Sequence, residues 1–177
     1  RGVVILTAHF GNWEWMAARL VQAQLPMAAI AETQPGPGVD RLLNEYREMV
    51  GLAPYARGNA LVAAMKALKK GNVLGFLADQ DAKANGVFVD FFGRPASTPQ
   101  GPAVFSLRCG APVIPAFIVR QPKKGHRILL SPPIYGDNDG DPAAAIGRLT
   151  EQMTRVMEDR IRRHPDHWWW FQRRWIT

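Results

Sequence analysis

The chain has 177 residues, 47% of them hydrophobic, which suits one folded domain with a sizeable core. Its net charge of +7 and pI of about 10.1 call for an anionic partner: nucleic acid, a phospholipid surface, an acidic carrier protein or a phosphorylated substrate. A lone cysteine, Cys109, excludes an internal disulfide and a cysteine zinc cluster, and no apolar run approaches the roughly 20 residues that cross a bilayer.

In chain order, Val3–Ala8 reads as a fully buried strand and Trp13–Ala23 as a helix. Met27–Glu32 is a second short strand, followed by the loop Gln34-Pro35-Gly36-Pro37-Gly38. Val39, Leu42, Leu43, Tyr46 and Val50 recur at helical spacing up to Gly51. Asn59 is placed to cap a helix carrying Leu61, Ala64, Met65 and Leu68, with Gly71 at its end. Val73–Ala78 is a buried strand ending at Asp79, and Val87–Phe92 is another extended run. A helix from Gly101 to Arg108 leads into the strand Pro112–Arg120, and Arg127–Ser131 has the look of an edge strand. The last helix carries a stripe of Ile146, Leu149, Met153, Val156, Met157 and Ile161. Strands alternating with helices predict an α/β sandwich, a mostly parallel central sheet flanked by helices. In such sheets functional groups collect at the carboxyl ends of strands, where both His9 and Asp79 fall. Residues 1–177 read as one catalytic domain. Arg1 runs straight into an apolar strand without an initiator Met, as expected of a piece of a longer protein with its membrane-anchoring segment elsewhere.

Within "LTAHFGNWEW", a His and a Glu five positions apart on one helix would lie about 140° apart and could not meet. With His9 in the turn before the helix, Gly11 and Asn12 let the chain fold back, and Glu14 lies in the first helical turn, where the macrodipole favours a carboxylate. A carboxylate there can accept from one imidazole nitrogen, fix the tautomer and leave the other as a base. Spacing alone is equally compatible with a satisfied buried His9 and a first-turn charge at Glu14.

Further stretches decide between these. His9–Glu14, H-F-G-N-W-E, resembles the H-x-x-x-x-D/E motif of the lysophospholipid acyltransferase superfamily. Asp79-Gln80-Asp81, followed by "GVFVDFFGRPASTPQGPAVFSLRCGAPVIPAF", resembles the D-x-D, V-F-V-x-F-F-G, T-x-x-G-P and G-A-x-V-x-P segments of its lipid A biosynthesis lauroyl/myristoyl acyltransferase branch. The ending "HPDHWWWFQRRW" is similar to that branch's P-E-Q-W-x-W-x-x-R-R-F/W, and the resemblance is collinear over nearly the whole chain.

This resemblance implies an O-acyltransferase. Its donor is a fatty acyl thioester on acyl carrier protein or coenzyme A, and its acceptor a hydroxyl of a lipid A precursor or related glycolipid. His9 is then the general base and Glu14 its orienting carboxylate, with no cofactor and no metal, since H-x-x-x-x-E differs from the zinc pattern H-E-x-x-H. Asp79 and Asp81 stand where the wider superfamily has E-G-T, and are assigned to acceptor hydroxyls, to an Arg or to the His9 network. Arg57 matches an Arg recurring before the third helix, a phosphate contact or a structural ion pair. Thr98 and Gly101 match a segment where a Gly allows close substrate approach or merely starts a helix. Gln34 replaces the Arg of the usual Y-R-P, which weakens the case for phosphate recognition there. Arg173 and Arg174, beside Trp168, Trp169, Trp170 and Trp175, suit anionic head groups at a membrane interface, although Trp168 and Trp170 also suit the core. The expected setting is the cytoplasmic face of a bacterial inner membrane.

The runner-up within the family is a phosphatidylinositol-mannoside-type glycolipid acyltransferase, which carries the same motif. A basic nucleic-acid- or membrane-binding module without catalysis would leave His9, Glu14, Asp79 and Asp81 unexplained, so nucleic acid is not the expected partner. A thiol hydrolase would need a reactive Cys109, which sits before Gly110 in an apolar setting, and no G-x-S-x-G elbow is present for a serine hydrolase.

Overall fold

The computed structural model describes residues 2–31, 36–56, 60–123 and 125–177. Its centre is a six-stranded sheet of order β3-β2-β4-β1-β7-β8, built from β1 (Val3–Thr7), β2 (Met27–Ala31), β3 (Ala53–Ala56), β4 (Val73–Leu77), β7 (Val113–Arg120) and β8 (His126–Leu130). The first five strands in that order run parallel, and β8 closes the edge antiparallel to β7. The short Val/Ile/Leu runs of β1 and β4 are buried almost end to end, as a sheet covered on both faces requires.

The helices divide between the faces. Val4 and Leu6 of β1 pack with α3 (Ala60–Lys69), α4 (Gly101–Cys109) and α5 (Pro142–Arg163). Ile5, pointing the opposite way, joins Met27, Leu52, Val73 and the Met16 and Ala17 of α1 (Trp13–Gln22) on the other face. Asn12 caps α1 by accepting from the Trp15 N–H at 3.0 Å, and Asp141 caps α5 by accepting from Ala144 at 2.9 Å. The α5 stripe expected from the sequence buries Leu149, Met153, Met157 and Ile161. α2 (Pro37–Met49) lies beside α1 and buries none of its residues completely.

Two strands differ from the sequence reading. β3 occupies a segment with no periodic signal of its own, because four residues cannot display one. The Val87–Phe92 run is β5 (Val87–Phe91), paired with β6 (Arg94–Thr98) as a separate antiparallel hairpin resting on α5. Its two-residue turn, Phe92-Gly93, has φ of 57° and 77°, the both-positive form that suits hairpin twist. A phenylalanine there is uncommon. It is held by its N–H donating to Glu158 of α5 at 2.7 Å, a contact invisible in the sequence.

Candidate active site

β1 and β4 are neighbours in register, with Thr7 opposite Leu77, and the Ala78 N–H continues the ladder to the Thr7 carbonyl at 3.1 Å. Two residues past the registered pair, the strand ends deliver His9 and Asp79 side by side. His9 is the central residue of a tight turn, with Phe10 N–H donating to the Ala8 carbonyl at 2.7 Å. The next residue must be glycine. Gly11 has φ +58°, and a Cβ there would lie 2.2 Å from the Ile118 carbonyl oxygen.

The Asp79 carboxylate is fully buried and surrounded by donors. His9 Nδ1 faces Oδ1 at 2.8 Å, while Oδ2 accepts from the His9 backbone N–H at 2.9 Å and from Trp168 Nε1 and Gln172 Nε2, each at 2.8 Å. Burial pushes this carboxyl up, but its bonds and charge interaction with His9 and the bonds from Gln172 and Trp168 outweigh that and hold it below the usual carboxylate range. An ionised carboxylate only accepts, so Nδ1 carries the proton, and the tautomer this selects has its lone pair on Nε2. Trp13 and Trp169 flank the ring, their centroids 5.0 and 5.9 Å from it.

Glu14 was expected to orient His9, and the structure places it elsewhere. Both of its oxygens face the Arg47 guanidinium of α2, at 2.5 and 3.2 Å. The reason is helical rotation: Trp13 occupies the His9 side of α1, so its neighbour Glu14 points about 100° away, toward α2.

The segment after α5 lies over the strand ends as a strap. Gly11 N–H donates to the His167 carbonyl at 2.7 Å, Trp169 N–H to the His9 carbonyl at 2.9 Å, and Phe10 and Trp168 form an isolated antiparallel bridge. Asp81 anchors the far end. Its carboxylate accepts from the N–H groups of Lys83, Ile176 and Thr177 and from the Thr177 hydroxyl, at 2.7 to 3.1 Å. Arg174 was expected at an anionic surface, yet it is 1% exposed. Its guanidinium donates to the Ser97 carbonyl at 2.6 Å and to the Thr98 hydroxyl, and lies over the Phe91 ring. The cause is the hairpin, whose carbonyl and hydroxyl groups offer the cation partners below the strap. Asp81, Thr98 and Arg174, all read from the sequence as substrate contacts, therefore spend their polar groups holding the strap. Arg173 is exposed.

Gly101 is the first residue of α4, where a Cβ would press on the Phe76 ring at 3.3 Å. Cys109 is the last residue of α4; burial pushes its thiol up, partly offset by the charge of Lys69. Gln34, Arg57 and the expected helix cap Asn59 lie outside the described residues. Among the described residues no three His, Cys, Asp or Glu side chains converge as a metal site, and no helix is long and apolar enough to cross a membrane.

A cavity of about 990 Å³ opens between α1, α2 and the β7–β8 edge, with Asn12 its lining residue nearest His9 in the chain. It runs along α1 from Asn12 to Gln22, a rise of about 15 Å, past the Glu14–Arg47 pair and between apolar walls that include Ala18, Leu43, Val50 and Ile118. Sequence reasoning missed two residues of the site, Trp168 and Gln172. Their signal was indirect: an aspartate buried at a strand end needs donors, and the terminal motif holds one amide among its aromatic residues.

The class that this fold and site define is an α/β domain with a carboxylate-oriented histidine at the ends of two adjacent parallel strands. The chain belongs to the bacterial lipid A biosynthesis acyltransferase family, whose description matches residues 1–177. It is 27% identical to a phosphatidylinositol mannoside acyltransferase of Mycobacterium tuberculosis, over 99% of this chain and 55% of that protein. It is 29% identical to a lipid A biosynthesis palmitoleoyltransferase and to a lipid A biosynthesis lauroyltransferase of Escherichia coli. Those matches cover 100% of this chain and 56% and 57% of the two proteins. The chain thus spans a little over half the length of these relatives.

Proposed function

We propose that this domain transfers a fatty acyl chain from an acyl thioester, on acyl carrier protein or coenzyme A, to a hydroxyl of a glycolipid. The observation that carries this reading is the His9–Asp79 pair, with Nδ1 against the carboxylate and Nε2 left as acceptor. Nε2 takes the proton from the acceptor hydroxyl as its oxygen attacks the thioester carbonyl. Asp79 stabilises the imidazolium that forms. The tetrahedral intermediate then collapses, the C–S bond breaks, and the proton passes from His9 to the leaving thiolate. No acyl-enzyme intervenes and the atoms balance without a further reactant.

The cavity beside α1 suits the acyl chain. Its volume falls within the roughly 300–1,000 Å³ of small-molecule sites, and it starts at Asn12, three residues beyond His9. Arg173 and the net charge of +7 favour an acidic carrier and an anionic bilayer, which supports placement at the cytoplasmic face of the inner membrane. The names of the relatives favour two acceptors, a lipid A precursor first and a phosphatidylinositol mannoside second.

The deciding experiment offers lauroyl- and myristoyl-carrier protein, and the matching coenzyme A thioesters, to the full-length protein with each acceptor. A mass gain of one acyl chain, lost in His9→Ala, is expected. Turnover that survives His9→Ala in a folded protein would remove His9 from the chemistry.

A further inference from the structure

We propose that Trp168 and Gln172 are positioning residues for this transfer: by donating to Asp79 Oδ2 they reserve Oδ1 for His9 Nδ1 and limit how tightly the pair holds a proton. The inference rests on the reading of His9 as the base.

Three N–H groups converge on Oδ2 and one on Oδ1. With that division the carboxylate cannot rotate without stranding donors in a buried site, so the imidazole meets a fixed partner. Trp168 is itself fixed, 4% exposed, with its ring against Phe91, Phe92 and Trp170.

Gln172 gives the sharper argument. Its Nε2 donates to Asp79, whereas its Oε1 is buried without a partner among the described residues. The amide cannot turn round, because Oε1 would then face a carboxylate with two acceptors in contact. A buried acceptor left unpaired is unfavourable, and an apolar residue of similar size would avoid it. The amide's one side-chain bond among the described residues is thus the one to Asp79.

Each donor withdraws charge from the carboxylate. Without one of them, Asp79 draws a proton more strongly, at its own oxygen or shared through Nδ1 of His9, and Nε2 gives up its proton only at higher pH. Both effects move the acidic limb of the pH–rate profile upward. Among the neighbouring charged groups, Arg174 on the strap interacts with both Asp79 and Asp81. Replacing Gln172 by leucine changes the charge of none of them.

The test uses the full-length protein and two variants, Gln172→Leu and Trp168→Phe, with lauroyl-carrier protein and a lipid A precursor. Two quantities are read: the pH–rate profile, and the protonation midpoint of the His9 ring by nitrogen NMR on histidine-labelled protein. Both should move up by about half a unit to one unit in each variant. Gln172→Asn, too short to reach Oδ2, should match Gln172→Leu. Rates that fall while the profile and the His9 midpoint stay at wild-type values would overturn the proposal and leave the two residues a packing role. Gln172 lies in a partly exposed stretch, so its variants carry the test if Trp168→Phe does not fold. A shifted His9 midpoint together with transfer that survives His9→Ala would overturn the function instead, leaving the hydrogen-bond network standing.

Discussion

His9 and Asp79, 70 residues apart in the chain, meet with Nδ1 and Oδ1 separated by 2.8 Å. Asp79 accepts four N–H bonds, and asparagine cannot replace it. An asparagine has one acceptor and one donor group. If its oxygen faces Trp168 and Gln172, its NH₂ meets Nδ1–H and forces the wrong tautomer; if reversed, it faces their donors. Asp79→Asn should therefore lower the rate about 10⁴-fold, the scale on which a mis-set tautomer acts in other His–carboxylate sites, with the loss in kcat rather than KM. Steady-state kinetics of thioester loss decide it.

Glu14 and Arg47 make a different prediction. Their pair joins α1 to α2 on the wall of the cavity, and α2 buries no residue completely. Glu14→Gln, Arg47→Met and the double variant should fall to about the same activity, with a coupling energy of about 1 kcal/mol in a double-mutant cycle. If Glu14→Gln matches Asp79→Asn while Arg47→Met is silent, Glu14 acts on His9 directly, as the family motif implied.

Acid should release the strap. Burial pushes the Asp81 carboxyl up, but the bonds from Lys83 and from Thr177 and Ile176 win and hold it at about 2, against an ordinary 3.8. A folded-state value below the unfolded one means a stabilising contribution present above about pH 3.8 and lost as pH falls through about 2. Asp79 is shifted in the same direction. The indole N–H resonance of Trp168 should therefore broaden or move between about pH 4 and pH 2. In Asp81→Asn the strap is weaker at neutral pH and that acid step is smaller.

The parallel strands other than β3, and α1, α4 and α5, could be read from apolar runs and a 3.6-residue stripe, because those signals are local. His9 and Asp79 were legible as strand-end residues for the same reason. Which carboxylate faces the imidazole was not legible. It depends on the β1–β4 register and on Trp13 taking the near side of α1, and neither has a local trace. Arg174 shows the other limit. Beside four tryptophans its charge read as a surface feature, yet the carbonyl and hydroxyl that bury it come from a hairpin 76 to 77 residues earlier.

Chain length should respond to Ala18. It lines the cavity one turn beyond Glu14, half-buried on the inner side of α1. Ala18→Phe places a ring across a lumen that runs along the helix and so removes its far end rather than the reacting end. A product spectrum shifted toward shorter acyl chains is expected, with His9 dependence intact. An unchanged spectrum in a folded variant would move the acyl chain to another surface.

Arg173 and Arg174 should part company. Arg174 is buried, donates to Ser97 and Thr98, and keeps its charge near Asp79 and Asp81 although burial lowers its proton affinity. Arg174→Met strands the Ser97 carbonyl and unpins the strap, at about 2–4 kcal/mol in urea unfolding, and activity falls because Trp168 and Gln172 travel with it. Arg173 is exposed, and Arg173→Ala should change stability by less than about 0.5 kcal/mol. Its effect belongs in vesicle binding: the loss of one arginine near an anionic surface is worth about 1 kcal/mol, or about fivefold in partitioning, and should vanish on neutral vesicles. Equal stability losses in the two variants would mean that the strap does not take this path.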